Sequence, residues 1–569
     1  MTNIELPARK QVGHLTLLRE TRPLTPREFN ALSPDERLTM ISRAQGRQKY
    51  RLLLEAADVD QLLPRLAPQE LYLLIREQGF EEMAELLPLV SAEQFGLLVD
   101  LDCWEGDQLV AGETVKWLQM LLDCGDEKVL ETLQDLDFEL LVLILKKHLR
   151  VVSGPEDLND DDARAEAQRR DGGYQIEYLD SENGKLVGQL LNLLMRRDLE
   201  FFRELVEAVR WEQEAMLEEN VYNQHRGRLE DCGFPDPAAA RGIYAWLPRE
   251  QLEAGDKSRH PMTPALGRVA QPGFFLTAAR PRDLLAEVLA TGVDERSAWE
   301  LAYLVNKLMI ADRVDVGDQQ QVQSAAGRVF RYLNLALEEL AGDDVTLAAE
   351  PFARHYLEHL FRFGFSLTLQ LQRMARELTN RAPAVYCDSA DRVLLSALLQ
   401  RQPLYLADPA EEPTGGERPF ATRRDLQRCA ARLAALEVQL RLFERHFGWA
   451  LPAPDDFELD GCLPATGAEL TLSTLFLTAL ANRLLGGEFL PIPIPAGRLA
   501  ELHDRVTVDG KVAPALRVET AAWLEGLEAG AGAFGQRCLD RWEEEFCPLA
   551  PDDLDPRFIG GLIVRLAAD

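Results

Sequence analysis

The sequence predicts a mostly α protein: an N-terminal helical-repeat superhelix, a larger all-helical region behind it, and a small hairpin near the C-terminus. Three observations predict it. An apolar triplet spaced i, i+3, i+4 returns at Leu71/Leu74/Ile75, Phe95/Leu98/Val99, Leu118/Leu121/Leu122 and Leu140/Leu143/Ile144, in steps of 24, 23 and 22 residues. A near-period of that length marks a stack of short helices that bury one another's faces. The phrases Ser33-Pro34-Asp35-Glu36, Ala67-Pro68-Gln69-Glu70 and Ser91-Ala92-Glu93-Gln94 each open a leucine-rich run. Beyond residue 173 the apolar residues keep helical spacing almost to position 449.

Taken in order, residues 1–30 form a proline-punctuated arm and residues 31–152 the repeat domain. Ser33 and Ser91 suit the N-cap, and Glu36 and Gln94 three positions later complete capping boxes. Pro34 and Pro68 fall on the first helical position, where a missing N–H costs nothing. Ala67 cannot cap with its side chain, so that copy depends on Pro68 and Glu70. Between the phrases a second short helix is expected at Phe80 to Leu87, whose Phe80, Met83, Leu86 and Leu87 make a stripe. Residues 153–172 read as an acidic linker. Its Asp157-x-Asn159-x-Asp161 spacing fails as a calcium loop, because Asp162 stands where glycine is needed and Gln168 where glutamate is needed.

A helical middle domain then spans 173–449. Helices are expected over Leu186 to Val209 with Trp211 to Asn220 extending them, then Pro281 to Ala290, Glu295 to Ala311, Gln319 to Leu340, Phe352 to Thr379 and Arg423 to Phe447. Residues 232–283 are the least regular, broken by Cys232-Gly233-Phe234-Pro235 and Pro272-Gly273-Phe274-Phe275. The last region, 450–569, holds a helix over Leu472 to Leu485 and the extended Pro491-Ile492-Pro493-Ile494-Pro495. It also holds a hairpin in which Asp509-Gly510 supplies a type I′ turn, and a final helix at about Val518 to Glu528.

Composition bounds the function. The chain has 569 residues, room for roughly three or four domains. At 46% hydrophobic and 27% charged it is globular rather than disordered. Its 94 acidic and 62 basic residues leave a net charge of −32, which repels phosphate backbones and argues against nucleic acid as a partner. No apolar run is long enough to span a bilayer, and residues 1–10 have an acid at Glu5 and no apolar core of a leader, so no membrane insertion is expected. Eight scattered cysteines with no CxxC pair suit reduced, buried thiols in a cytoplasmic protein.

Two resemblances attach to particular phrases. Leu63-Pro64-Arg65-Leu66-Ala67-Pro68-Gln69-Glu70 and Ala84-Glu85-Leu86-Leu87-Pro88-Leu89 resemble the N-terminal superhelical domain of MgtE-type magnesium transporters, and armadillo-like layers of flagellar motor-switch proteins are similar. The likeness covers about residues 30–150 and implies an armadillo-like stack. The transporter family's regulatory domains and channel are not recognisable in the rest of the sequence. Leu475-Phe476-Leu477-Thr478-Ala479-Leu480-Ala481-Asn482 and Asp555-Pro556-Arg557-Phe558-Ile559-Gly560-Gly561-Leu562 resemble an uncharacterised family of long bacterial proteins, which implies no chemistry.

The sharpest catalytic-looking string is His355-Tyr356-Leu357-Glu358-His359, the H-x-x-E-H form of the inverted zinc-peptidase motif. On one helix His355 and His359 would lie a turn apart and share a zinc, with Glu358 as general base. It is similar to the motif of pitrilysin-like peptidases, and that resemblance implies a downstream glutamate ligand, for which Glu437 has a comparable distance. Packing explains the same residues differently: Phe352, Tyr356, Leu360 and Phe363 make a core stripe and the histidines flank it. Gly530-Ala531-Gly532-Ala533-Phe534-Gly535 matches G-x-G-x-x-G, but the text before it has helical period, so it reads as a helix terminus rather than a dinucleotide loop. Glu81, Glu82 and Glu85, with Asp100 and Asp102, could offer carboxylates to Mg²⁺. In the resembled transporter domain, acidic faces holding magnesium serve regulation. A solvated helix face accounts for the same acids without an ion.

The reading placed first is a non-enzymatic cytoplasmic scaffold or adaptor that binds a partner protein, with a basic segment favoured by the charge and no cofactor. The second is a metal-dependent hydrolase using zinc at residues 355–359, or an unrecognised site in 232–283. The third is a magnesium-responsive regulator built on the repeats.

Overall fold

A computed structural model describes residues 24–44, 46–154, 173–180, 183–255, 257, 283–407, 415–551 and 554–566. They are mostly helical, and the strands form short two- and three-stranded pairings. The chain divides into two compact units, Met1–Phe363 and Gly364–Asp569, so the division falls inside the middle region expected from the sequence. No helix among the described residues is long and apolar enough to cross a membrane.

In the first unit the helix starts follow the cap chemistry. Ser33 and Ser91 accept from the N–H groups of Glu36 and Gln94, whose side chains return to the cap N–H, and Thr25 with Glu28 makes a third such box. Pro34 and Pro68 open their helices, and Ala67 caps with no side-chain bond. The four triplets lie on the helices Pro68–Gln78, Ala92–Asp102, Ala111–Asp123 and Phe138–Lys146. All their residues are buried except the half-buried Leu122. Their core does not end at the acidic linker. The same buried cluster runs on through Val187, Leu190, Phe202, Leu205, Leu217 and Val221 on the helices Asn183–Arg197, Leu199–Trp211 and Glu214–Asp231.

Three local expectations change here. The second helix at 80–87 is instead a run of turns followed by a short 3₁₀ segment, Leu87–Leu89. Pro88 lacks the N–H that an α-helix would use and restricts Leu87, while Met83, Leu86 and Leu87 are still buried. The continuous helix at 186–209 is broken at Asp198, which caps Phe201 N–H at 3.0 Å. Strands Leu149–Ser153 and Gln175–Tyr178 pair antiparallel on either side of the linker. In the first of them buried Leu149 and Val151 alternate with exposed Arg150 and Val152. The linker core with its Asp157/Asn159/Asp161 spacing lies outside the described residues. Of the irregular segment 232–283, the structure describes two short helices, Pro237–Ala240 and Arg249–Ala254, with the 3₁₀ turn Arg241–Tyr244; residues 258–282 lie outside it.

The second unit is built from helices Ser389–Leu398, Arg423–Arg441, Leu472–Leu484, Leu499–Val506, Pro514–Leu527 and Gly532–Glu545. The Arg423–Arg441 helix runs into a π-helical turn, Leu442–His446, and Gly448 leaves it at φ +65°. The expected hairpin forms between Thr507–Val508 and Lys511–Val512. Asp509 (φ 53°) and Gly510 (φ 73°) both take the left-handed conformation that a type I′ turn demands. Ile494–Pro495 pairs with Val564–Arg565, which also pairs with Cys462–Leu463. The G-x-G-x-x-G string joins two helices, with Glu525 accepting from the N–H groups of Gly530 (2.8 Å) and Gly532 (3.1 Å). Its Gly535 permits a close helix crossing: a Cβ there would lie 2.6 Å from Leu524. All eight cysteines are free thiols.

Candidate functional site

The His355–His359 string sits at a junction rather than on one helix. The helix Val345–Arg354 stops with His355 in extended backbone (φ −96°, ψ 152°), and the next helix, Leu357–Thr379, begins two residues later. The break has a tertiary cause. The first N–H of the second helix, that of Leu357, donates to Glu300 Oε2 at 3.0 Å, so a carboxylate from a neighbouring helix supplies its cap. The expectation that His355 and His359 lie a turn apart on one helix is therefore corrected.

His355 and Glu358 have separate partners, while the buried Nδ1 of His359 has no hydrogen-bond partner among the described residues. His355 is buried and its Nδ1 lies 2.8 Å from the carbonyl of Gly255, which can only accept, so Nδ1 carries the proton. Glu358 Oε2 is 2.8 Å from Lys307 Nζ. His359 packs edge-on against Tyr356, with ring centroids 5.5 Å apart, and its Nδ1 approaches Gly255 so closely that a Cβ there would lie 3.1 Å away. Burial holds the His359 imidazole below its ordinary value, Arg362 adds to that, and Glu358 partly offsets it. Glu437 is held by Arg381 (3.3 Å) and Arg441 (3.4 Å). Among the described residues no group of three or more His, Cys, Asp or Glu side chains is gathered as a metal site.

What the junction does gather is buried charge. Lys257 Nζ lies 3.1 Å from Glu300 Oε2 and 3.3 Å from Ser297 Oγ, and Arg296 Nε is 3.4 Å from Glu300 Oε1. Lys257, Ser297, Glu300, Lys307 and His355 are all buried. On the same Glu295–Asp312 helix, Trp299 Nε1 and both amide atoms of Asn306 are buried with no hydrogen-bond partner among the described residues. The arrangement fastens a helix start to its neighbours. Its serine hydroxyl, Ser297 Oγ, accepts from the Lys257 ammonium, which is also paired with Glu300.

The acidic residues also part company. Glu81, Glu82 and Glu85 are exposed on the turns after Gly79. Asp100 is fully buried: Arg228 grips it through Nε (2.6 Å) and Nη2 (3.0 Å), and His225 Nδ1 lies 3.0 Å away. Arg228 also reaches Asp137 at 2.9 Å, the residue that caps Leu140 N–H. Burial alone would lower the Arg228 guanidinium, but Asp100 and Asp137 outweigh it and hold it above its ordinary value. Asp102 accepts from Trp117 Nε1 (2.8 Å) and Tyr72 Oη (2.5 Å). The five acids therefore form no single face. Two lock helices together and three are solvated.

Sequence reading missed the Asp100–His225–Arg228 cluster, in which the His225 ring stacks on Trp104 at 4.4 Å. The i, i+3 spacing of His225 and Arg228 on one helix was its only local signal. Neither the curated proteins nor the solved structures gave a match to this chain. One family model matches residues 26–565, nearly its whole length, and on that match the chain belongs to the family of unknown function DUF6178.

Proposed function

We propose that the chain is a non-enzymatic helical scaffold that binds a basic segment of a partner protein. The observation that carries this is the excess of acidic over basic residues, 94 against 62, on a helical body. Two residues of the H-x-x-E-H string support it, because His355 and Glu358 are engaged by a carbonyl and a lysine. Negative surface of this size steers cationic partners and makes their association salt-sensitive.

Affinity capture with the full chain at low and at about 0.3 M salt tests it. The expected result is a protein with a lysine- or arginine-rich segment, recovered at low salt and released at high salt. A partner set indifferent to salt would overturn the charge-driven reading. The same preparation separates the two rivals. Stoichiometric zinc lost in His359→Ala would favour the hydrolase. A rise in melting temperature with millimolar Mg²⁺, removed by replacing Glu81, Glu82 and Glu85 with glutamine, would favour the regulator that the magnesium-transporter resemblance implies.

A further inference from the structure

The corner between the helices Leu199–Trp211 and Glu214–Asp231 exposes six consecutive residues, Trp211 to Met216. Trp211 is 66% exposed and Met216 62%, among the most exposed large apolar side chains described in this unit. The helices that carry them are anchored, the first by buried Phe202, Leu205, Val206 and Val209, the second by buried Leu217 and Val221. The tryptophan is therefore displayed on a rigid support. It is also held in orientation: its Nε1–H donates to Glu207 Oε2 at 2.8 Å, and Glu207 is fixed in turn by Tyr174 Oη at 2.7 Å.

One face of the indole already carries a cation, the Arg210 guanidinium 4.4 Å from the ring centroid. The ring quadrupole offers the same attraction to a second cation on its other face. At the corner the carboxylates of Glu207, Glu212, Glu214, Glu218 and Glu219 outnumber the cations Arg210, Lys146 and Lys147. Glu212 and Glu214 belong to the exposed corner, Glu219 is exposed one turn beyond, and Glu218 joins Glu214 on Lys147. An aromatic ring and a flexible thioether amid carboxylates suit a chain that brings a cation and an apolar side chain together.

We infer that this corner is the docking surface for a basic peptide segment, whose lysine or arginine stacks on the face of Trp211 opposite Arg210 while an adjacent apolar side chain covers Met216. The inference rests on the scaffold reading above and gives it a place on the molecule. Surface charge alone would spread such a partner over the whole acidic surface. The pinned ring concentrates it at one corner.

The test is fluorescence anisotropy of a labelled synthetic peptide of lysines and arginines interspersed with leucines, titrated with the full chain and with Trp211→Ala, Trp211→Phe and Met216→Ala. Trp211→Ala leaves the net charge unchanged, so a purely electrostatic association ignores it. The expected result is about tenfold weaker binding for Trp211→Ala, a smaller loss for Trp211→Phe, which keeps a ring, and a loss for Met216→Ala. Melting temperatures equal to that of the parent chain would show that these exposed substitutions leave the fold intact. If the parent chain binds the peptide and Trp211→Ala binds it equally well, the corner is wrong and the scaffold reading stands. If the parent chain fails to bind the peptide even at low salt, the basic-partner reading fails and the corner falls with it.

Discussion

At the scale of single residues, the first unit depends on charges placed where water does not reach. Asp100 has no exposed side-chain surface and is held by the fork of Arg228 and by His225. Removing Asp100 leaves Arg228 with Asp137 alone and His225 without its carboxylate, and breaking such a buried pair costs far more than the pair contributes in net terms. Asp100→Ala should lower the unfolding free energy by about 3–5 kcal/mol, read from denaturant midpoints at unchanged slope. A loss below about 1 kcal/mol would mean that Arg228 finds equal compensation in Asp137. Nothing near Asp100 in the sequence announces this partner, which lies 128 positions away. The cap at Ser33 could be read, because its partner Glu36 is three residues on.

At the scale of elements, helix starts decide what the sequence shows and what it hides. The Arg423–Arg441 helix begins with a capping box in which Thr422 serves Asp425 N–H and the Asp425 carboxylate returns to Thr422 N–H and to Ala421 N–H, at 3.3 and 2.9 Å. Arg418 adds a fork at 2.8 and 3.0 Å. Burial pushes the Asp425 carboxyl up, but these donors together hold it below its usual range. A carboxyl depressed in the folded state adds stability that is present above its unfolded value, about 3.9, and is lost as pH falls through the folded one. The parent chain should therefore lose stability as pH drops below about 4, and Asp425→Asn should be weaker at neutral pH and show a shallower acid limb. Parallel acid limbs in the two proteins, measured by chemical denaturation of the second unit's signal, would sink this assignment. The Leu357–Thr379 helix is the contrasting case. Its capping carboxylate, Glu300, lies 57 positions back, so periodicity alone ran the helix through His355 and kept an H-x-x-E-H face that does not exist.

At the scale of the whole molecule, charge is the dominant fact. A net charge of −32 repels itself in the folded state, and screening relieves that repulsion more than it weakens the scattered exposed ion pairs. Raising salt to about 0.3 M should raise the melting temperature by about 2–4 °C, while weakening the capture of a basic partner. An unchanged or falling melting temperature would show that the surface ion pairs outweigh self-repulsion. Sequence alone determined the helical class, the capped helix starts, the Asp509–Gly510 hairpin and the burial of the triplets, because each depends on residues within a turn or two of one another. Tertiary structure decided the rest. It carried the core around the triplets on to Val221, broke the 352–379 helix, buried Asp100 under Arg228 and left Trp211 outside. Those outcomes depend on groups brought together from distant parts of the chain, and periodicity carries no information about which distant carboxylate, arginine or apolar face will arrive.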